Sequence, residues 1–365
     1  MLLAVAFFYI CRQIKSRMLR SWLFTCSLIL GFYSCTDSLA PEFTEIEATA
    51  VFRDSISIRA IAAVNDSTVW FAANNGKIGV IEGQIPKLAS VSYQDSLLAF
   101  RSIARTKDAV FVLSIGNPAV LYKIGVEGTN PTFIEDVYTE THPNVFYDAM
   151  AFWDDQNGIA MGDPTDGCLS VILTTDGGDS WTKVPCDRLP ATEEGEAAFA
   201  ASNSNIAVFG NSAWLVSGGK RARVFKTTDR GQTWKVYETP IIEGQAMTGI
   251  YSVAFQDAKN GIIFGGNWDA KEDNGGNKAI TTDGGKTWNL ISDQAGPGYR
   301  SCVRYLPNTK GQGIVAVGIP GVSYSNDGGE SWVELTKESY YNIQFVNDST
   351  AFASGYGKID KLVFK

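Results

Sequence analysis

The 365-residue chain has a single histidine, His142. One imidazole excludes histidine-rich zinc sites and leaves little room for a histidine-based triad. Cysteine is scarce too: of six, Cys11, Cys26 and Cys35 lie in the N-terminal segment. No cysteine or histidine spacing suits a metal, so none is expected. Apolar stretches of helical period are missing beyond about residue 35, which points to an all-β chain. There is no P-loop, and no Gly-x-Gly-x-x-Gly between a strand and a helix, so no cofactor is expected and an oxidoreductase lacks its motif. Basic charge is also short. The sequence carries 31 Lys and Arg against 39 Asp and Glu. Arg12, Lys15, Arg17 and Arg20 precede Cys35 and no acid does, so the rest is more acidic still. That balance argues against nucleic acid, whose binding needs a basic face.

The N-terminus reads as targeting sequence. Residues 2–11 are apolar, a basic stretch follows, and a second apolar run extends from Trp22 to Tyr33. That run is short for a membrane span and suits a signal-peptide core, with Met18 a tidier start. Phe32-Tyr33-Ser34-Cys35 resembles a bacterial lipobox, which implies lipidation at Cys35. Plain secretion and a retained anchor stay open beside it. The expected layout is a signal or lipoprotein segment over 1–35, a tether over 36–42 and one domain over 43–365. The expected product is an exported monomer at the cell envelope or facing the periplasm, touching membrane through its lipid alone.

Four copies of one phrase organise the rest: residues 174–181, 227–234, 281–288 and 325–332, with the pattern Ser/Thr-x-Asp-x-Gly-x-Ser/Thr-Trp. It reads as a hairpin turn. The aspartates Asp176, Asp229, Asp283 and Asp327 accept hydrogen bonds that close the turn, and the glycine takes the left-handed conformation. Trp181, Trp234, Trp288 and Trp332 open the return strands and bury their rings between neighbouring sheets. The phrase resembles the Asp-box, or bacterial neuraminidase repeat, a folding element. A repeat of this length fits a propeller blade. Inner strands are expected to open near Arg59, Arg101, Asp148, Glu196, Tyr251, Arg300 and Tyr341 or Asn342. The count predicts an all-β, seven-bladed propeller. The strand Phe43–Phe52 would supply the last blade's outer strand and close the ring. Cys168 and Cys186 flank the first box at nearly equal distance; a disulfide and two separate thiols both fit that spacing. Cys302 reads as a buried small hydrophobe.

Propeller geometry puts the box turns on one face and the inner-strand openings, with the loops between second and third strands, on the other. The candidate ligand or partner residues are therefore Arg59, Arg101, Asp148, Asp163, Glu196, Arg221, Arg300 and Tyr341. Two chemistries remain open. Arg59, Arg101 and Arg300 with Asp148, Glu196 and Tyr251 or Tyr341 resemble the inventory of a sialidase, in which arginines clamp a carboxylate, a Tyr–Glu pair supplies the nucleophile and an Asp is the acid/base. The Phe-Arg-Ile-Pro motif of that family is absent at Ser57–Ile61. If the protein is an enzyme, a glycoside hydrolase is the expected kind. Tyr147–Phe152, Gly162-Asp163-Pro164, Gly195–Ser202 and Gly298–Ser301 instead resemble bacterial exported proteins similar to the photosystem II stability/assembly factor family. That resemblance implies a seven-bladed propeller that binds protein and assists assembly of a membrane complex. It makes Arg59, Arg101 and Arg300 candidates only, because that family's arginine patch has no residue-by-residue counterpart here. The leading expectation is a non-catalytic binder of a protein partner or a small anionic ligand. A purely structural surface lipoprotein is the third reading.

Overall fold

The computed structural model describes residues 40–365. The targeting segment with Cys35 and most of the tether lie outside them. Among the described residues the only helix is the 3-10 turn Cys186–Arg188, and none is long and apolar enough to cross a membrane.

The all-β expectation holds, and the architecture is a β-propeller. The blade count is corrected: six sheets of four to six strands stand where seven blades were expected, beside one small ribbon. The reason is strand continuity. Ile46–Asn65 and Thr350–Phe364 are each one long strand. The first half of Ile46–Asn65 pairs with Thr350–Phe364, from Ile46 opposite Phe364 to Ser57 opposite Tyr356. Its second half pairs with Thr68–Ala73. The expected closing strand is thus present, and it is continuous with the strand that carries Arg59. One six-stranded sheet results, running from Asn342–Phe345 to Ile85–Ser90. Joining the two chain ends in one sheet removes the free edges that a linear stack would leave.

Each sheet is buried on the inside and wet on the outside. Ala109–Ser114 is buried at all six positions, whereas Ile85–Ser90 is exposed throughout. Apolar side chains fill the gaps between consecutive sheets, and the box tryptophans are among them. Trp181 meets Phe111 and Phe152, Trp288 meets Phe255, and Trp332 meets Phe264, each edge-on. Burying one such ring contributes about 2–3 kcal/mol.

The four box turns share one geometry. In the third, Asp283 accepts from the Lys286 and Thr287 amides and from the Thr281 and Thr287 hydroxyls, at 2.8–3.0 Å. The amides of Gly177, Arg230, Gly284 and Gly328 donate to Gln156, Asn211, Lys259 and Gln312. Those acceptors lie in the turns between first and second strands, so the boxes sit on the face opposite the inner-strand openings, as expected. Cys168 and Cys186 form a disulfide, with Cα atoms 5.6 Å apart. Cys302 is free and buried.

Candidate functional site

Four predicted residues share one backbone device. Arg59, Arg101, Asp148 and Tyr251 each sit at a register shift of the inner strand: between Ile58 and Ala60, Phe100 and Ser102, Tyr147 and Ala149, and Ile250 and Ser252. A bulge sets one extra residue outside the ladder and re-aims its side chain. Opposite Asp148 and Tyr251 the facing second strand makes room with glycine. A Cβ on Gly162 would lie 2.1 Å from the Phe146 carbonyl, and one on Gly265 would lie 1.9 Å from that of Gly249.

The fourth sheet departs from the expected pattern. Its inner strand is Ile206–Phe209, whereas Glu196 lies in the short strand Glu196–Ala197 paired with Gly218–Gly219. Glu196 is therefore not an inner-strand opening. The chain between them, residues 199–205, crosses the axis. The Ala201 and Ala200 carbonyls accept from Arg59 Nη1 (3.1 Å) and Arg101 Nη1 (3.5 Å). Asn203 accepts from the Met150 amide (2.9 Å) and donates to the Ile103 carbonyl (2.8 Å). Ser202 donates to the Ser301 carbonyl (2.6 Å) and Ser204 to Ser252 Oγ (2.8 Å). One buried segment thus ties five inner strands together and plugs the channel. Small side chains let it fit. The run Ala-Ala-Ser-Asn-Ser-Asn is the only sequence signal for it.

Above the plug lies a basin of about 390 Å³ lined by Arg59, Arg101, Phe146, Asp163, Ala197–Ala201, Met247, Tyr251, Trp268 and Tyr299. Below it a second cavity of about 510 Å³ reaches Asn203, Arg105 and Arg304 on the box-turn side. In the basin the Arg59 guanidinium carbon stands 4.2 Å from the Tyr341 ring centre. Tyr251 stacks on Phe199 at 4.0 Å and donates to the Met247 carbonyl. Trp268 is half exposed, with Lys271 over its ring. Among the described residues neither Arg59 nor Arg101 has a carboxylate within ion-pair distance.

Asp148 lies beneath, fully buried, with neither carboxylate oxygen in a hydrogen bond. Burial, and then the neighbouring Asp163, push its pKa well above the ordinary carboxyl range, against the pull of Arg101. Asp163 accepts from the Ala198 amide (2.7 Å) and is itself pushed up to about 6 by burial. Arg101 is lowered by burial and then by Arg59. The basin thus holds two guanidinium groups over an acid whose charged form is disfavoured by burial.

The other candidates go elsewhere. Glu196 accepts from Arg223 at 2.5 and 3.0 Å, from Ser217 (2.6 Å) and from the Glu193 amide (2.9 Å). Both its oxygens are thus engaged, and Arg223 is the partner the sequence reading missed. Arg221 pairs with Glu238 and Glu243. Arg300 is buried away from the basin, in a cleft beside Ser323 and Trp332. The three arginines therefore do not converge: two share a basin and the third lies apart. His142 is 3.9 Å from Asp166. No group of three His, Cys, Asp or Glu residues that could hold a metal occurs among the described residues.

The model of the BNR/Asp-box repeat matches residues 279–290. No curated protein matches the chain. Among solved structures, YCF48 bound to D1 peptide is similar with a TM-score of 0.63 and 15% identity, over 90% of this chain and 99% of that one. A streptogramin B lyase structure gives 0.65 and 15%, over 89% and 100%. The GH74 enzyme of Niastella koreensis gives 0.55 and 13%, over 85% of this chain and 43% of that one. At these identities the likeness is one of fold, and it includes the photosystem II assembly factor fold expected from the sequence.

Proposed function

We propose that the chain is a non-catalytic propeller that binds a segment of a protein partner in the basin above the plug, and that it serves assembly of an envelope complex. Its carrying observation is the pair Arg59 and Arg101. Both are anchored by plug carbonyls, lack a carboxylate partner and are framed by Phe146, Tyr251, Trp268 and Tyr299. Desolvated arginine beside aromatic rings is the usual composition of an interface hot spot. A propeller of similar fold has been solved with a peptide bound. An exported chain held by lipid at Cys35 would present this basin to envelope partners.

The test is affinity capture from the native envelope with wild type and with Arg59→Ala/Arg101→Ala. A partner retained by wild type and lost by the double variant supports the reading; equal recovery overturns it. The glycoside hydrolase reading keeps one supporting observation, the fold likeness to a GH74 enzyme. Against it, Glu196 is engaged by Arg223 and Asp148 is fully buried. A panel of fluorogenic glycosides decides it: turnover that disappears in Glu196→Gln or Asp148→Asn would establish catalysis.

A further inference from the structure

A second site stands apart from the basin. The cleft beside Arg300 has a volume of about 340 Å³ and is lined by Glu272, Asn274, Arg300, Ser323, Trp332, Glu334 and Lys337, among others. Arg300 is 3% exposed. Its Nη1 donates to the Tyr299 carbonyl (2.9 Å) and its Nη2 to Ser323 Oγ (2.9 Å), while Nε has no partner. A buried guanidinium is costly unless paired, and proteins almost always supply a carboxylate. Here two carboxylates are at hand. Burial lowers the pKa of Arg300 to about 10, while Glu334 and Glu272 favour its charged form through space. Yet among the described residues none of Arg300, Lys337, Glu272 and Glu334 makes an ion pair within 4.0 Å. Two cations and two anions therefore line one cleft without closing on each other.

That arrangement selects a ligand by charge. A simple anion would meet Arg300 but also two glutamates, and a simple cation would meet the glutamates but also Arg300 and Lys337. A molecule carrying both charges close together satisfies both sides. We propose that this cleft binds a small zwitterion of the α-amino acid type. Its carboxylate meets the Arg300 guanidinium and the Ser323 hydroxyl, its ammonium faces Glu272 and Glu334, and its side chain lies against the Trp332 indole. The fork of Arg300 gives carboxylate recognition its direction. The flanking glutamates reject the same molecule without its amine.

Equilibrium dialysis of the full chain in detergent, with three radiolabelled probes, tests this. The probes are L-phenylalanine, 3-phenylpropionate, which lacks the ammonium, and phenethylamine, which lacks the carboxylate. Saturable binding of L-phenylalanine, about tenfold or more tighter than either relative, is expected. Arg300→Met should weaken it about ten- to hundredfold. Because Arg300 is buried, Glu334→Gln on the exposed strand Val333–Thr336 serves as the second variant. It should bring the affinities for L-phenylalanine and 3-phenylpropionate together while leaving the melting temperature unchanged. No saturable binding of L-phenylalanine, equal binding of 3-phenylpropionate to wild type, or indifference to Glu334→Gln would each overturn the proposal. Partner capture at the basin is independent of all three outcomes.

Discussion

The guanidinium carbon of Arg59 lies 4.2 Å from the ring centre of Tyr341, although the two are 282 positions apart in the chain. Arg59 belongs to the sheet that joins the chain ends and lines the basin, and Tyr341 directly precedes that sheet's strand Asn342–Phe345. A cation over a half-buried aromatic ring contributes about 0.5–2 kcal/mol. Denaturant unfolding of Arg59→Ala, Tyr341→Ala and the double variant should therefore give a coupling of about 0.5–1 kcal/mol. Additive single effects would mean that the pair is merely adjacent.

The plug should be a stability determinant out of proportion to its length. Asn203→Ala removes the partners of the buried Met150 amide and Ile103 carbonyl, so a loss of about 2–4 kcal/mol is expected. Asn203 also sits at φ +57°, which glycine accepts more readily than alanine. Asn203→Gly should accordingly be about 1 kcal/mol less damaging than Asn203→Ala. Chemical denaturation measures both.

Asp163 should make the protein lose stability as the medium approaches neutrality. Its folded pKa is pushed up to about 6, above the ordinary aspartate value of about 3.9. The folded state therefore holds the proton more tightly than the unfolded one. The resulting stabilisation is complete below about pH 4 and is lost as pH rises through 6. Asp163→Asn keeps an oxygen for the Ala198 amide and removes the charge, so it should gain about 1–3 kcal/mol over wild type at pH 7 and little at pH 4. Thermal unfolding across that range is the measurement, and parallel curves for the two proteins would contradict it.

The Asp-boxes carry the opposite sign. Burial raises the pKa of Asp283, but the hydrogen bonds it accepts together outweigh that and hold it down at about 2. Its contribution is present above the unfolded value of about 4 and fades as pH falls through 2. Asp283→Ala should cost about 1–3 kcal/mol at pH 7. The gap from wild type should close between pH 4 and 2 in acid-unfolding curves.

The bulged positions show how far the sequence could be read. Arg59, Arg101, Asp148 and Tyr251 were found because each opens an alternating apolar run, and a strand's start is a local property. Glu196 was misplaced because it also precedes small apolar residues. What distinguishes it is the Ile206–Phe209 strand pairing with Ser212–Val216 and the capture of its carboxylate by Arg223. Neither is visible as a pattern over a few residues. The blade count failed for a related reason. Alternation cannot tell one 20-residue strand from two short ones, because the period is the same; only partner changes along Ile46–Asn65 mark the division.

By itself the sequence determined the box turns, the all-β class and the opposed faces, because these depend on contacts within a few residues. In each box the aspartate bonds to groups no more than four positions away. Tertiary structure alone decided which candidates meet. The plug joins residues about a hundred positions apart, as Asn203 does with Ile103 and Ser202 with Ser301. Such pairings follow from how the whole ring closes, and no local pattern encodes them. The basin of Arg59 and Arg101 and the separate cleft of Arg300 exist only once that closure has been made.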